Sequence, residues 1–267
     1  MLRHATPIAF DRAMGNGRTK PALLVCETQE GEEVDVVAKF SANCDQGVTN
    51  LAREVIAACL AGDLGLPIPT PYLLDITPAW AASVTDATIR ANIQCSAPVA
   101  FGSSFAGAQF SAWNDGTTLR PAMVPTALAT FVFDAIIQNP DRRSSNPNCL
   151  VRGDTFRIFD HELAFLAYSA SHSIIGWQPP WVPGSFSIPE PPDRHIFMRK
   201  LHGENLDFDR VRESWKQLTD SRIDGYAGTI PAEWGQAAED VGSAITLIKS
   251  ARDNIDACIV EIQRVLA

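Results

Sequence analysis

Asn139-Pro140-Asp141-Arg142-Arg143-Ser144-Ser145-Asn146 leads into the apolar run Cys149-Leu150-Val151, and a second run, Phe156-Arg157-Ile158-Phe159, ends on Asp160-His161-Glu162. Arg152-Gly153-Asp154 between the two runs is a turn signal, so the pair reads as an antiparallel hairpin. A polar loop carrying Asp141 and Asn146 curls enough for both side chains to face one cleft, and the hairpin returns Asp160 to the side of Asn146. The donors gathered there are hard oxygens, the set that holds magnesium. In phosphoryl transfer the same residue types divide the work: Asp141 orients an attacking hydroxyl, while Asn146 and Asp160 hold the metal. Taken alone, the D-x-x-x-x-N spacing equally describes an Asx-rich capped loop.

Upstream, further parts of such a site follow in the required order. Met14-Gly15-Asn16-Gly17-Arg18-Thr19-Lys20-Pro21 is a glycine-bearing turn ahead of the strand-like Ala22-Leu23-Leu24-Val25-Cys26. Glycines let backbone amides approach phosphate oxygens without a Cβ in the way, although the segment also reads as an ordinary hairpin connection. Val34-Asp35-Val36-Val37-Ala38-Lys39-Phe40 is a strand ending in one lysine, a compact charge suited to nucleotide phosphates or simply to water. The helical pattern that follows puts Leu51, Val55, Ala58 and Cys59 on one face, with Glu54 beside it, within reach of Lys39 or exposed to solvent.

These residues resemble the HipA-like kinase family, in its short single-domain branch. The likeness runs through G-N-G-R-T-x-P, V-x-A-K-F, an R-E helix before Gly65-Leu66-Pro67-Ile68-Pro69, and Phe101-Gly102-Ser103. It continues through N-P-D-R-R-x-x-N-P-N, F-D-H-E and Ile230-Pro231-Ala232-Glu233-Trp234. The resemblance implies an α+β, bilobal, protein-kinase-like fold that binds ATP and magnesium and moves the γ-phosphate, in known members to serine or threonine of a protein. It assigns Lys39 to the nucleotide phosphates, Glu54 to holding Lys39, Asp141 to catalysis as the base, and Asn146 and Asp160 to the metal. Gly15, Asn16, Gly17 and Arg18 become the phosphate-covering loop. The segment from Val99 through Phe101 to Gly102 becomes the hinge that receives the adenine edge. His161-Glu162 stand where protein kinases carry Phe-Gly, so no aromatic flip is expected, and His161 is assigned a structural hydrogen bond.

The chain divides on this reading into a small β-rich lobe, residues 1–104, and a larger, mainly helical lobe, residues 105–267. The apolar Ala127-Leu128-Ala129-Thr130-Phe131-Val132-Phe133-Asp134-Ala135-Ile136-Ile137 forms the buried spine of the second lobe. Val241, Ile245, Ile248, Ile255, Ile259 and Ile262 recur at helical spacing and face the core. The proline- and tryptophan-rich residues 177–192 cannot be regular helix and fall where a substrate loop would lie, able to dock a peptide or to pack as a surface loop.

A net charge of −9 and a pI of about 5.0 argue against a broad nucleic-acid or acidic-membrane surface. Arg18, Lys20, Lys39 and magnesium would compensate the charge of ATP. Arg142-Arg143 would either position a phosphate or anchor nearby carboxylates. No run of eighteen apolar residues exists and the N-terminus lacks the order of a signal peptide, so a cytoplasmic location is the default. Six cysteines without a C-x-x-C pair read as small buried hydrophobes, and His4, His172, His195 and His202 fall in no evident constellation. Three functions stay open: a serine/threonine protein kinase, a small-molecule kinase or nucleotidyl transferase, and a catalytically weak ATP-binding interaction module.

Overall fold

The computed structural model describes residues 2–15, 18–165, 178–186 and 194–267. Its first part is a closed barrel with strand order β1-β2-β3-β5-β4. β1 (Arg3–Ala13), β2 (Ala22–Thr28) and β3 (Glu33–Lys39) form an antiparallel meander, while β4 (Pro71–Asp75) and β5 (Val99–Ser104) complete the circle. Parallel pairing of β1 with β4, Arg3 opposite Tyr72, closes it and removes the exposed edges. Ala22, Leu24, Cys26, Val36, Ala38, Tyr72, Leu74 and Ala100 are buried in one cluster, together with Ile89 and Ile93 from the short α3 (Ala87–Gln94). The barrel is tight at Gly102 of β5, where a Cβ would come within 2.5 Å of Val36 Cγ1. Only glycine fits that crossing.

The second and larger hydrophobic cluster gathers the helices. α4 (Val124–Ile137) is buried along most of its length, as its apolar sequence requires, and ends at Gln138 in the left-handed region (φ 57°). That reversal sends the chain directly into residues 139–148. The hairpin follows as expected, β7 (Cys149–Arg152) against β8 (Thr155–Ile158), with the two-residue β6 (Ser111–Ala112) on its flank. Beyond it lie α5 (Met198–Leu201), α6 (Phe208–Lys216), α7 (Asp220–Ala227), α8 (Ala238–Asp253) and α9 (Ile255–Leu266). The isoleucine periodicity of residues 241–262 is therefore carried by two helices, because Asn254 interrupts the run with non-helical dihedrals. The helix α2 (Pro78–Ser83) bridges β4 and α3.

The architecture is α+β, as the pattern predicted. One element crosses between the clusters: α1 (Val48–Asp63), from the first half of the sequence, is buried almost throughout and belongs to the helical cluster, against α7 and α8. Lys39 ends β3 at the barrel, so α1 and β3 bring their residues to the seam between the clusters. Of the proline-rich stretch, residues 177 and 187–192 lie outside the described residues, and in its described part Phe186 C=O accepts from Arg264 Nη2 at 2.6 Å. Among the described residues, no helix is long and apolar enough to cross a membrane. Five of the six free cysteines are buried, and burial pushes the thiols of Cys26, Cys44, Cys149 and Cys258 up to about 12.

Candidate active site

β3 delivers Lys39 into a nest of carboxylates. Its Nζ donates to Glu54 Oε1 at 2.5 Å, to Asp160 Oδ1 at 2.5 Å and to Glu162 Oε2 at 3.2 Å. Glu54 reaches it from the middle of α1, one turn from Asn50, whose Nδ2 donates to the Glu162 carbonyl at 2.9 Å and so fixes the loop carrying the other two acids. Asp160 takes the left-handed conformation (φ 62°), which aspartate tolerates better than most residues. That turn lets Asp160 and Glu162, two residues apart, meet the same ammonium. Carboxylate oxygens of Glu54, Asp160 and Glu162 all lie within 4.8 Å of one another, the only such group of three acidic or metal-binding side chains among the described residues.

The charges within this nest are unequal. Burial alone would lower the Lys39 ammonium, but Asp160, Glu54 and Glu162 override it and hold its pKa well above the ordinary lysine value. Burial would raise Glu54, yet the Lys39 charge and hydrogen bonding from His161 bring it down to about 2. Glu162 goes the other way: burial raises it, Lys39 opposes, and the neighbouring Asp160 and Glu54 charges push it further, to about 6. A lysine already neutralised by two nearer carboxylates has little left for a third.

Asp141 and Asn146 meet on the loop after α4. Asn146 Nδ2 donates to Asp141 Oδ2 at 2.8 Å and Asn148 Nδ2 to the same oxygen at 3.2 Å, while Asp141 N–H donates to Asn139 Oδ1 at 3.2 Å. With its NH2 turned to Asp141, the amide of Asn146 keeps an oxygen for another partner.

Between this loop and Asp160 lies a sealed ion pair. Arg142, 1% exposed, donates through Nε to Asp134 Oδ2 at 2.6 Å and through Nη1 to the carbonyls of Asn148 (2.5 Å) and Phe159 (3.3 Å). Its Nη2 lies 2.8 Å from His161 Nε2, and since a guanidinium can only donate, that nitrogen accepts and the ring proton sits on Nδ1, 3.7 Å from Glu54 Oε2. His161 N–H also donates to Glu54 at 2.8 Å. The histidine thus has the structural role its sequence position suggested. Burial would raise Asp134, but the Arg142 charge and hydrogen bonds from His195 and Arg142 hold it well below the carboxylate range.

The model of the HipA-like kinase family matches residues 8–175. The chain belongs to the HipA-like kinase family. Among solved structures, the Helicobacter pylori proinflammatory kinase CtkA is similar in fold, with a TM-score of 0.56 over 97% of each chain at 13% identity. No curated protein matches the chain.

Against that family pattern the sequence expectations divide. Glu54 meets Lys39 and Asp141 meets Asn146, as expected, while Asp160, assigned to a metal beside Asn146, accepts from Lys39. Arg18 lies beside Asp45 at 2.6 Å at the mouth of the β1–β2 turn, which Met14 N–H closes onto Pro21 C=O. Gly15 precedes that turn's tip; Asn16 and Gly17 lie outside the described residues. The segment expected as the hinge is a strand. Val99 and Phe101 stand inside β5, with Phe101 paired to Lys39 on one side and Leu73 on the other, and the Val99 carbonyl accepts from Trp234 Nε1 at 3.2 Å.

Sequence reasoning missed Glu162, Asp134 and His195. His195, which had no evident constellation, has its Nε2 3.1 Å from Asp134 Oδ2. A carboxylate inside the apolar helix 124–137 was the available signal, because a buried charge requires a partner.

Proposed function

We propose that this HipA-like kinase is an ATP- and magnesium-dependent phosphotransferase that phosphorylates serine or threonine of a protein, with the barrel and the helical cluster acting as its two lobes and the nucleotide between them. The observation that carries the reading is the convergence of Lys39, Glu54 and Asp160 at the seam, on a segment joined to the Asp141–Asn146 loop where Phe159 N–H donates to Asn148 C=O at 3.1 Å. Lys39 binds the nucleotide phosphates, and Glu54 keeps the ammonium in place. Asp141 accepts a hydrogen bond from the acceptor hydroxyl, held in aim by the amides of Asn146 and Asn148.

The donor set fits a divalent cation: the Asn146 amide oxygen and the Asp160 carboxylate are hard ligands of the kind magnesium selects. When bound, magnesium would offset charge on the terminal phosphates. Asp160 rests on Lys39 in the nucleotide-free protein, and its release would still leave Lys39 paired with Glu54 and Glu162. Positioning and charge neutralisation provide most of the acceleration, since a loose phosphoryl transition state needs little covalent help.

The test is incubation with γ-labelled ATP and magnesium, alone and then with cell lysate, beside Lys39→Ala and Asp141→Ala. Label on serine or threonine, lowered by about 10²-fold or more in each variant, is the expected result. A product carrying nucleotide instead of phosphate, or a small-molecule acceptor, would replace the reading.

A further inference from the structure

We propose that His195 is a positioning residue of the phosphoryl-transfer centre, acting through Asp134 and Arg142 to hold the Asp141 and Asp160 loops in register. The inference rests on the phosphotransferase reading for its kinetic consequence, and on geometry alone for its structural one.

His195 sits on a strip of chain laid against the catalytic loop. Ser144 N–H donates to Arg194 C=O at 3.3 Å and Ile196 N–H to Arg142 C=O at 3.3 Å, so the strip forms a short bridge with residues 142–144. Phe197 N–H donates to His195 Nδ1 at 3.2 Å. With Nδ1 accepting, the ring proton is on Nε2 and points at Asp134 Oδ2, 3.1 Å away. The ring is wedged edge-on against Phe131, centroids 4.9 Å apart, which fixes its plane.

The chain of contacts then runs in one direction. The Asp134 oxygen that faces His195 also accepts Arg142 Nε, and its partner oxygen accepts Asn139 Nδ2 at 2.8 Å. Arg142 follows Asp141 in the chain, and its Nη1 and Nη2 hold Phe159 C=O and His161 Nε2, the residues on either side of Asp160. The carboxylate is held from three sides: Arg142 takes both oxygens, its Nη2 donating to Oδ1 at 3.3 Å, and Asn139 takes Oδ1 as well. His195 provides the third side. It touches none of Lys39, Asp141, Asn146 or Asp160 through its ring.

The test compares the full chain with His195→Phe, which keeps the ring and loses the donor, and His195→Gln, which restores an N–H near the Nε2 position. The structural readout is amide hydrogen exchange of nucleotide-free protein. Exchange at residues 142–148 and 158–162 is expected to rise about tenfold in His195→Phe, the scale of one hydrogen bond to a charged group, and to return toward native in His195→Gln. The kinetic readout is a drop of about tenfold in kcat with the KM for ATP within about twofold, again rescued by Gln. Native exchange in both loops in His195→Phe overturns the inference, whatever the activity. If His195→Phe does not fold, Asp134→Asn takes its place, and native exchange in those loops has the same meaning. Absence of turnover in the native chain would count against the phosphotransferase reading and leave the exchange result to decide the role of His195.

Discussion

Two buried ionic clusters flank the turn at Asp160, and they are assembled to different stoichiometries. Around Lys39, three carboxylates share one ammonium, and Asp160 remains 23% exposed. Around Asp134, one carboxylate faces one guanidinium, both essentially sealed, with a histidine and an asparagine satisfying the remaining positions. The first cluster has more negative charge than its own cation neutralises, so it is prepared to share a carboxylate with an incoming cation. The second is closed and has nothing to give up. Kinase chemistry needs both: groups that change partners when nucleotide arrives, and a frame that does not move while they do.

The contrast can be broken from either side. The largest effect is expected from Asp160→Asn, which removes the exposed carboxylate of the open cluster and should lower metal-dependent turnover by about 10³-fold. Folding should survive, because Lys39 keeps Glu54 and Glu162; thermal unfolding with a Tm near native beside lost activity is the check. Retained turnover would remove Asp160 from its assigned role.

Next in size is Arg142→Met in the closed cluster. It leaves the buried Asp134 carboxylate without its guanidinium, with only Asn139 and His195 beside it, and should cost about 3–5 kcal/mol of stability by urea unfolding. Adding Asp134→Asn should recover part of that loss, since the stranded charge is then gone. An Arg142→Met protein of native stability would show that the pair is not a frame.

The smallest effect distinguishes the third carboxylate of the open cluster. Glu162 titrates at about 6 in the folded chain, above the ordinary 4.5, so the folded state binds the extra proton between those values. Stability is therefore greatest below about pH 4.5 on this group's account and falls by about 2 kcal/mol in all as pH rises through about 6. Glu54, lowered to about 2, contributes in the opposite sense, and its stabilisation is lost only as pH falls from 4.5 toward 2. Burial lowers His195, which acts in the opposite sense over this range in either protein, so the check is a difference: from pH 4.5 to 6.5 the urea midpoint of the native chain should fall relative to that of Glu162→Gln.

Much of the candidate site was legible along the chain, because its residues stand at the ends of patterns or at set spacings. Lys39 closes an apolar strand, Glu54 borders an apolar helical face, and Asp141 and Asn146 are spaced within one loop. Glu162 was not legible: its approach to Lys39 depends on the left-handed turn at Asp160, which two residues of separation do not reveal. The strand character of the expected hinge was hidden for a similar reason. Val99-Ala100-Phe101-Gly102-Ser103 reads equally as strand or connector, and only pairing to β3 and β4 on both sides shows how far the strand runs. The closed cluster was hidden by distance, since His195 and Asp134 are 61 residues apart and nothing periodic joins them.

Local order alone was enough for β2, β3, α1, α4, the hairpin, the family and the residue types of the candidate site, because strand and helix periods and loop spacings are properties of neighbouring residues. Which carboxylates share Lys39, how far β5 runs, and what holds Arg142 still were decided by packing. Those contacts join positions whose meeting depends on the desolvation of charges in a common interior, and a buried charge takes whichever partner the fold brings within reach.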